Sequence, residues 1–193
     1  MSLPYQGNLA GKPFELIDWQ EQIIRDVFGT INLTAIAVQY RLYWNTKETR
    51  QVGIGGCVAL LLCCGDREER AEVYGCAADR QQATIVFDVA ADMVRMCPAL
   101  NKRVKILVSQ KRIIYLPTNS FYQVLSAEAY SKHGFNIHGV VFDELHTQPN
   151  RKLFDVMTKG SGDARMQPLY FLITTAGTDT NSICYETHQK AKD

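Results

Sequence analysis

The sequence contains no apolar run that is long enough to cross a membrane. Its longest unbroken apolar run is CVALLLCC, whereas a transmembrane helix needs about 20 such residues. The chain also does not open with a basic segment followed by an apolar stretch. We therefore expect neither a signal peptide nor a transmembrane helix.

An excess of one charge is also absent, because 21 Lys and Arg residues face 20 Asp and Glu residues, for a net charge of +1. This balance argues against a protein that coats nucleic acid through overall basicity. A local basic patch is still compatible with it, and the candidates are Lys102, Arg103, Lys105, Lys111 and Arg112.

The six cysteines form neither a CxxC pair nor a Cys/His pattern with metal-ligand spacing. We therefore expect reduced, buried thiols, as in intracellular proteins. With 193 residues and 46% hydrophobic content, the chain can bury one sizeable core, and one domain is the default expectation.

Hydrophobic spacing predicts the secondary structure of the amino-terminal third. Apolar residues at three-four spacing indicate a helix over residues 18–28 that Gly29 ends. Strict alternation over residues 35–44 predicts a half-buried strand. The stretch NTKETRQVGIGG is interpreted as a polar, glycine-containing loop, and CVALLLCC fits either a buried strand or a buried helix.

The rest of the sequence alternates strands with helices. A strand at AEVYGCAA is followed by a helix that ends before Pro98. Two short strands flank residues 109–111, a third is FYQVLSA, and IHGVVF is apolar enough to be buried on both faces. A helix after Asn150, a buried strand PLYFLITTA and a final helix from SICYETHQ complete the pattern. It predicts a three-layer α/β domain with a largely parallel central sheet.

The stretch HGVVFDELH places Asp143 and Glu144 at the end of a buried strand. Ligands of open α/β folds bind at the carboxyl edge of the sheet. In P-loop ATPases an Asp at this place holds Mg²⁺ and the following acid orients or deprotonates the attacking water. The alternative is a strand end with two solvated acids.

The next predicted strand ends in Thr174, Thr175 and Gly177. If this strand neighbours the first, these small polar residues lie beside the two acids and can sense a terminal phosphate. The alternative is a simple exit from strand to loop with Gly177 as its turn.

Several stretches resemble the ATPase domain of the large terminase subunit of tailed phages. They are AEVYGCAADRQQATIVFDVAADMV, LSAEAYSKHGFNIHGVVFDELH and LITTAGTDTNSICYE, and they stand in the family's order and spacing over residues 71–192. The resemblance implies a P-loop NTPase-like fold, ATP and Mg²⁺ as cofactors, Asp143 as the magnesium-site acid and Glu144 as the catalytic glutamate. It also implies that residues 174–177 couple hydrolysis to movement along DNA.

Upstream, PFELIDWQEQIIRDVFG resembles the adenine-side segment of the same family. There Gln20 is expected to hydrogen-bond the base and Trp19 to pack nearby. Without the downstream match, the alternative for Trp19 is a core aromatic residue.

The resemblance further implies partners and location. Double-stranded DNA, a small terminase subunit and a portal protein are the expected partners, in the cytoplasm of a bacterial host. Such motors form rings in which a neighbour supplies an arginine. Here Arg80, Arg151 and Arg165 are candidates, although a solvated surface role is favoured for each. Residues 1–193 are expected to form one ATPase domain that is incomplete at its carboxyl end, without the nuclease domain that follows in the family.

The chain lacks the phosphate-binding motif G-x-x-x-x-G-K-[ST] that this family requires. The glycines in QVGIGGCVALLL stand at about the right place, but no Lys, Arg, Ser or Thr follows them. Residues 47–57 can be encoded by many synonymous DNA sequences. One of these sequences, translated in a frame displaced by one base, gives K-K-Q-G-K-S-E-L-A-A. In the displaced frame, the last two bases of either Gln51 codon combine with the G that begins the next codon. The resulting codon encodes Lys or Arg. We hypothesise that residues 34–57 are translated out of frame between two compensating indels, and the alternative is a diverged native loop.

Two classes of function remain open at this point. The first is an enzyme, an ATPase motor domain whose activity is weak or absent without the phosphate loop. The second is a non-catalytic remnant, a scaffold or binding module on the same fold. A helicase-like ATPase is disfavoured, because DELH is embedded in terminase-like flanks.

Overall fold

A computed structural model gives the structure of the protein. It describes residues 16–29, 39–44, 48–125, 134–159, 165, 167–175 and 182–190, without the side chains of residues 39–44, 48–51 and 80. Residues 45–47, 126–133 and 176–181 are among those outside these ranges.

A seven-stranded sheet forms the centre of the described part. Its strands are β1 (Gln39–Trp44), β2 (Glu72–Cys76), β3 (Val104–Leu107), β4 (Arg112–Tyr115), β5 (Ser120–Leu125), β6 (Ile137–Phe142) and β7 (Leu169–Thr174). They lie in the order β1-β7-β6-β2-β5-β4-β3. The first five in this order are parallel, and β4 and β3 add an antiparallel hairpin at one edge. The prediction of a largely parallel sheet is therefore confirmed.

Helices cover both faces of this sheet. They are α1 (Asp18–Phe28), α2 (Glu48–Leu60), α3 (Arg80–Met96), α4 (Pro98–Asn101), α5 (Lys152–Lys159) and α6 (Ile183–Lys190). One apolar cluster joins α1, α2 and α3 to one face, and a second joins α5 and α6 to the other. The three-layer prediction is confirmed. Within the described residues no helix is both long and apolar enough to cross a membrane.

The two central strands β6 and β7 are buried along their whole length. Val141 and Phe171 belong to the cluster on the α2 and α3 side, whereas Phe142 and Leu172 belong to the cluster on the α5 side. Because both faces are covered, apolar residues occupy most positions rather than alternate ones. The exceptions are His138, whose Nε2 lies 2.6 Å from Asp66 Oδ2 near the start of β6, and Thr174 at the end of β7. Towards the carboxyl edge of the sheet, polar residues therefore begin only at Thr174 on β7 and at Asp143 after β6.

The loop predicted for NTKETRQVGIGG is wrong over its described part. Residues 48–60 form α2, and a π-helical turn continues it over Leu61–Gly65. A Cβ atom added to Gly55 would lie 3.1 Å from Ile173 Cδ1, and one added to Gly56 would lie 3.4 Å from the backbone nitrogen of Ala90. The glycines therefore allow α2 to approach the sheet and α3 closely. Burial of the apolar run offsets the low helix propensity of glycine, and the helical alternative for CVALLLCC is confirmed.

Part of the predicted basic patch is engaged in contacts with neighbouring side chains. Lys111 Nζ lies 3.3 Å from Asp88 Oδ1 and 5.2 Å from the centre of the Phe87 ring. The Arg112 guanidinium stacks 3.8 Å above the Phe121 ring. Both cations therefore serve local packing, whereas the remaining members of the patch are exposed: Lys102, Arg103 and Lys105.

The six cysteines are free thiols, as expected. Four are buried and two are half-buried, namely Cys64 and Cys97. Burial raises the pKa of Cys57 to about 11. A hydrogen bond from Cys63 lowers the pKa of Cys64, so Cys64 combines partial exposure with the more acidic thiol.

Arg165 does not lie on the surface, so the sequence-based expectation was wrong for it. Its side chain is buried and donates to Glu68 Oε1 at 2.8 Å, to the carbonyl of Glu69 at 3.0 Å and to that of Arg70 at 2.7 Å. It also donates to Asn136 Oδ1 at 3.0 Å. These bonds join the segment before β2 to the segment before β6. Arg151 is exposed and pairs with acids of α5 and α6, and the side chain of Arg80 lies outside the described residues.

We predict that Arg165→Ala lowers the free energy of unfolding by about 1–3 kcal/mol, because it removes a buried side chain and leaves the half-buried Glu68 carboxylate and two carbonyl groups without their donor. Urea denaturation measures the change. Arg151→Ala is the matched control, since that side chain is solvated, and its effect should be much smaller. Equal effects of the two substitutions would contradict a clamping role for Arg165.

Candidate functional site: the carboxyl ends of β6 and β7

Asp143 and Glu144 follow β6 directly, and Thr174 ends the neighbouring parallel strand β7. Phe142 stands opposite Leu172 in the register, so the two acids lie level with the end of β7. The predicted adjacency of the acids and the threonines is confirmed. Asp143 is 2% exposed and Glu144 is 9% exposed. The alternative of two solvated acids is therefore wrong.

Glu144 has a left-handed backbone, with φ 49° and ψ 54°. This conformation is uncommon for a residue with a side chain and costs free energy. The following 3₁₀ turn, Leu145–Thr147, supports it. Thr147 donates to the Glu144 carbonyl through both its backbone N–H, at 2.9 Å, and its hydroxyl, at 2.8 Å. The turn therefore fixes the direction in which Glu144 leaves the strand.

His146 links Glu144 to the end of β7. Its backbone N–H donates to Thr174 Oγ1 at 3.2 Å, and its Nδ1 lies 3.1 Å from the same oxygen. The same Nδ1 is 3.0 Å from Glu144 Oε2. Thr175 Oγ1 donates to Glu144 Oε2 at 3.4 Å. One carboxylate oxygen of Glu144 therefore faces both an imidazole nitrogen and a hydroxyl.

Thr174 is fully buried at the centre of these contacts. Its hydroxyl donates to the Thr175 carbonyl at 3.1 Å and lies 3.5 Å from Cys184 Sγ on α6. Burial, followed by the charge of Glu144, raises the pKa of the Cys184 thiol, while the hydrogen bond with Thr174 acts in the opposite direction. The thiol is therefore protonated at neutral pH, and Thr174 connects α6 to the acidic turn.

Asp143 has a neighbour that the sequence interpretation did not assign. Gln82 Nε2 lies 3.5 Å from Asp143 Oδ2. Gln82 stands in the first turn of α3, where its backbone N–H donates to Asp79 Oδ1, the amino-terminal cap, at 2.8 Å. The D-x-x-Q spacing resembles a helix-start signature, and it could have located this helix end. No comparable sequence pattern indicated the role of His146.

The amino-terminus of α2 lies at the same edge of the sheet. β1 pairs in parallel with β7, and Trp44 stands opposite Thr174. Neighbouring strands are about 4.8 Å apart, so the end of β1 is about 10 Å from the backbone of β6. The connection to Glu48, residues 45–47, lies outside the described residues. A helix amino-terminus at this position is suited to bind a phosphate.

The glycines proposed as a phosphate loop do not occupy that position. Gly53, Gly55 and Gly56 lie within α2 and are buried. Their backbone N–H groups belong to a helix that packs against both the sheet and α3, so they cannot form a cradle for phosphate groups. The structure therefore excludes a native phosphate loop at Gly53 to Gly56.

Trp19 and Gln20 both lie in the first turn of α1. Trp19 is 36% exposed, so the alternative of a core aromatic residue is wrong. Gln20 is 2% exposed, and its Oε1 accepts a hydrogen bond from the backbone N–H of Ile17 at 3.2 Å. Part of its amide therefore serves to cap α1. Gly177, the last of the predicted nucleotide-contacting residues, lies outside the described residues.

The side chains at this edge are suited to Mg²⁺, which keeps water and phosphate ligands. They are less suited to a metal ion that is held by protein side chains alone. Within the described ranges, no group of three or more His, Cys, Asp and Glu residues could hold a metal ion. Mg²⁺ typically binds one or two carboxylates together with water and substrate phosphates. One buried carboxylate, Asp143, at the edge where α2 begins satisfies that requirement.

The profile of the family described as "Terminase large subunit, ATPase domain" matches residues 23–193, which cover most of the chain. The chain belongs to this terminase family. The large terminase subunit of Enterobacteria phage HK97 is 31% identical over 97% of the chain, which spans 38% of that relative. The crystal structure of the HK97 large terminase superposes with a TM-score of 0.79 at 25% identity, over 95% of the chain and 38% of that protein.

More distant terminases share the fold. The ATPase domain of the Thermus phage P74-26 large terminase superposes with a TM-score of 0.60 at 15% identity, over 86% of the chain and 67% of that structure. A large terminase from a thermophilic bacteriophage, solved in complex with ATP-gamma-S, gives a TM-score of 0.50 at 13% identity, over 69% of the chain and 32% of that protein. The terminase-like fold expected from the sequence is thereby confirmed.

Proposed function

We propose that residues 1–193 belong to the ATPase domain of a DNA-packaging terminase large subunit, with Asp143 at the magnesium site and Glu144 as the catalytic glutamate. The observation that carries this proposal is the position of both acids. They are buried at the carboxyl end of β6, against the threonines of β7 and beside the amino-terminus of α2. Family membership supports the same assignment.

Each residue has a distinct role in this proposal. Asp143 holds Mg²⁺, which when bound neutralises charge on the phosphates. Glu144 orients the attacking water and accepts its proton. Thr174, Thr175 and Gly177 form the segment that responds to the terminal phosphate. Trp19 and Gln20 flank the adenine, a role suited to the exposed ring of Trp19.

A large terminase solved with ATP-gamma-S supports ATP as the nucleotide, since it shares the fold of this chain. Double-stranded DNA, a small terminase subunit and a portal protein are the partners that we propose by membership of the family. A ring of several copies, as in related motors, belongs to the same proposal.

We infer that this chain hydrolyses ATP negligibly. The phosphate-binding half of the site needs a Lys and a hydroxyl after a glycine turn, and the glycines of this chain lie buried within α2. Without the cation, the terminal phosphate lacks its main counter-charge and Mg²⁺ lacks a protein ligand. Removal of comparable electrostatic groups slows catalysis by about 10²–10³-fold each. The two acids alone do not compensate for this loss.

We also propose that residues 34–57 are translated out of frame. The displaced reading K-K-Q-G-K-S-E-L-A-A would place its Lys and Ser in the first turns of α2, at the sheet edge beside Thr174. The encoding DNA, read in all three frames, checks this directly. A G-K-S or G-K-T sequence in the displaced frame is the expected result. Its absence there would contradict the out-of-frame hypothesis and favour a diverged native segment.

Steady-state phosphate release tests the proposed activity. The chain as it stands should release phosphate from Mg²⁺-ATP at the background rate, and Glu144→Gln should not change that rate, because the missing phosphate half already limits turnover. Nucleotide-dependent thermal stabilisation should likewise be small. Mg²⁺-dependent release that disappears in Glu144→Gln would overturn the inference of inactivity, although it would support the role of Glu144.

A further inference from the structure

His146 has the properties of a residue that orients Glu144. Three of its contacts converge within one turn: Nδ1 to Glu144 Oε2 at 3.0 Å, Nδ1 to Thr174 Oγ1 at 3.1 Å, and backbone N–H to Thr174 Oγ1 at 3.2 Å. The imidazole is partly buried, with 25% of the side chain exposed. Its backbone is therefore fixed to β7 while its ring faces the carboxylate.

The chemistry of the neighbours determines which nitrogen carries the proton. An ionised carboxylate can only accept hydrogen bonds, so a bare Nδ1 lone pair 3.0 Å from Glu144 Oε2 would be repelled. The Thr174 hydroxyl already donates to the Thr175 carbonyl, so its oxygen is available to accept from Nδ1. The third neighbour, the Thr175 hydroxyl, lies 3.4 Å from Nδ1 and donates to Glu144 Oε2 instead. The neighbours together therefore favour a proton on Nδ1.

We propose that His146 is a positioning residue for Glu144. Its Nδ1–H and the Thr175 hydroxyl both occupy Oε2 of Glu144, which leaves Oε1 to face the water. The left-handed backbone of Glu144 sets the direction of the side chain, and the imidazole sets its rotation. This inference rests on the proposed role of Glu144 and adds the group that holds it. Because His146 also contacts Thr174, a displacement of the end of β7 would change the orientation of Glu144.

Nuclear magnetic resonance of the 193-residue chain tests the proposal without nucleotide. Its histidines are labelled with ¹⁵N and its glutamate carboxyl carbons with ¹³C, at a pH well above the ordinary histidine pKa of about 6.5. His146→Asn identifies the imidazole signals by their loss, and Glu144→Gln identifies the Glu144 carboxyl signal. His146 is expected in the Nδ1–H form with a bare Nε2. An Nε2–H form with a bare Nδ1 would overturn the proposal.

Substitutions then test whether His146 holds the carboxylate. In His146→Ala the Glu144 carboxyl signal should shift and broaden, whereas His146→Asn should preserve it, since the Asn amide can place an N–H near the position of Nδ1. His188→Asn, on α6, is the matched control and should leave the Glu144 signal unchanged. A Glu144 signal that is the same in His146→Ala as in the unsubstituted chain would contradict the proposal.

Both readouts are independent of turnover. If the chain fails to hydrolyse ATP, the protonated nitrogen and the Glu144 signal are still measured. If instead hydrolysis is detected but His146 carries its proton on Nε2, the positioning role fails while the proposed function stands. The tautomer is measured on the unsubstituted chain, so a variant that does not fold cannot leave the proposal undecided.

Discussion

Parallel pairing of β6 with β7 is the constraint on which the candidate site depends. Both strands are buried on both faces, so at the carboxyl edge polar residues begin only where the strands end. Because they are parallel, they end at the same edge, and Asp143 and Glu144 meet Thr174 and Thr175 there. The left-handed turn at Glu144 and the contacts of His146 then convert this adjacency into a defined arrangement of side chains.

The proposed site has two parts at this edge, an acidic half-site after β6 and a phosphate half at the start of α2. The acids, the threonines and Gln82 are held by contacts across β6, β7 and α3. By contrast, α2 begins at the right place but contains glycines that serve helix packing. The sheet requires only a helix at this position, whereas phosphate binding requires particular side chains at its first turn. In the proposed account, this chain keeps the helix without those side chains.

The sequence was sufficient to predict the parts of the fold that depend on periodicity. The bounds of α1 and the burial of β6 followed from apolar spacing alone. The adjacency of the acids to Thr174 was predicted only on the condition that the two strands are neighbours, and the strand order meets that condition. The helical state of residues 48–56 was missed because glycine is a poor helix former when packing is ignored. The burial of Arg165 and the contacts of His146 depend on segments distant in sequence, such as Glu68 with Arg165, and no local pattern reports them.

Binding of Mg²⁺-ATP, measured by calorimetry, tests the central claim most directly. Two chains are compared, the protein as it stands and a variant with the displaced reading over residues 34–56. In this variant residues 47–56 become K-K-Q-G-K-S-E-L-A-A, and residues 34–46 become R-Q-S-Q-Y-N-T-A-Y-I-G-I-P, a reading that the same one-base displacement permits. The account predicts that only the second binds, and that Asp143→Ala weakens its binding. Equal binding by both chains would contradict the claim that the acidic half-site is intact while the phosphate half is missing.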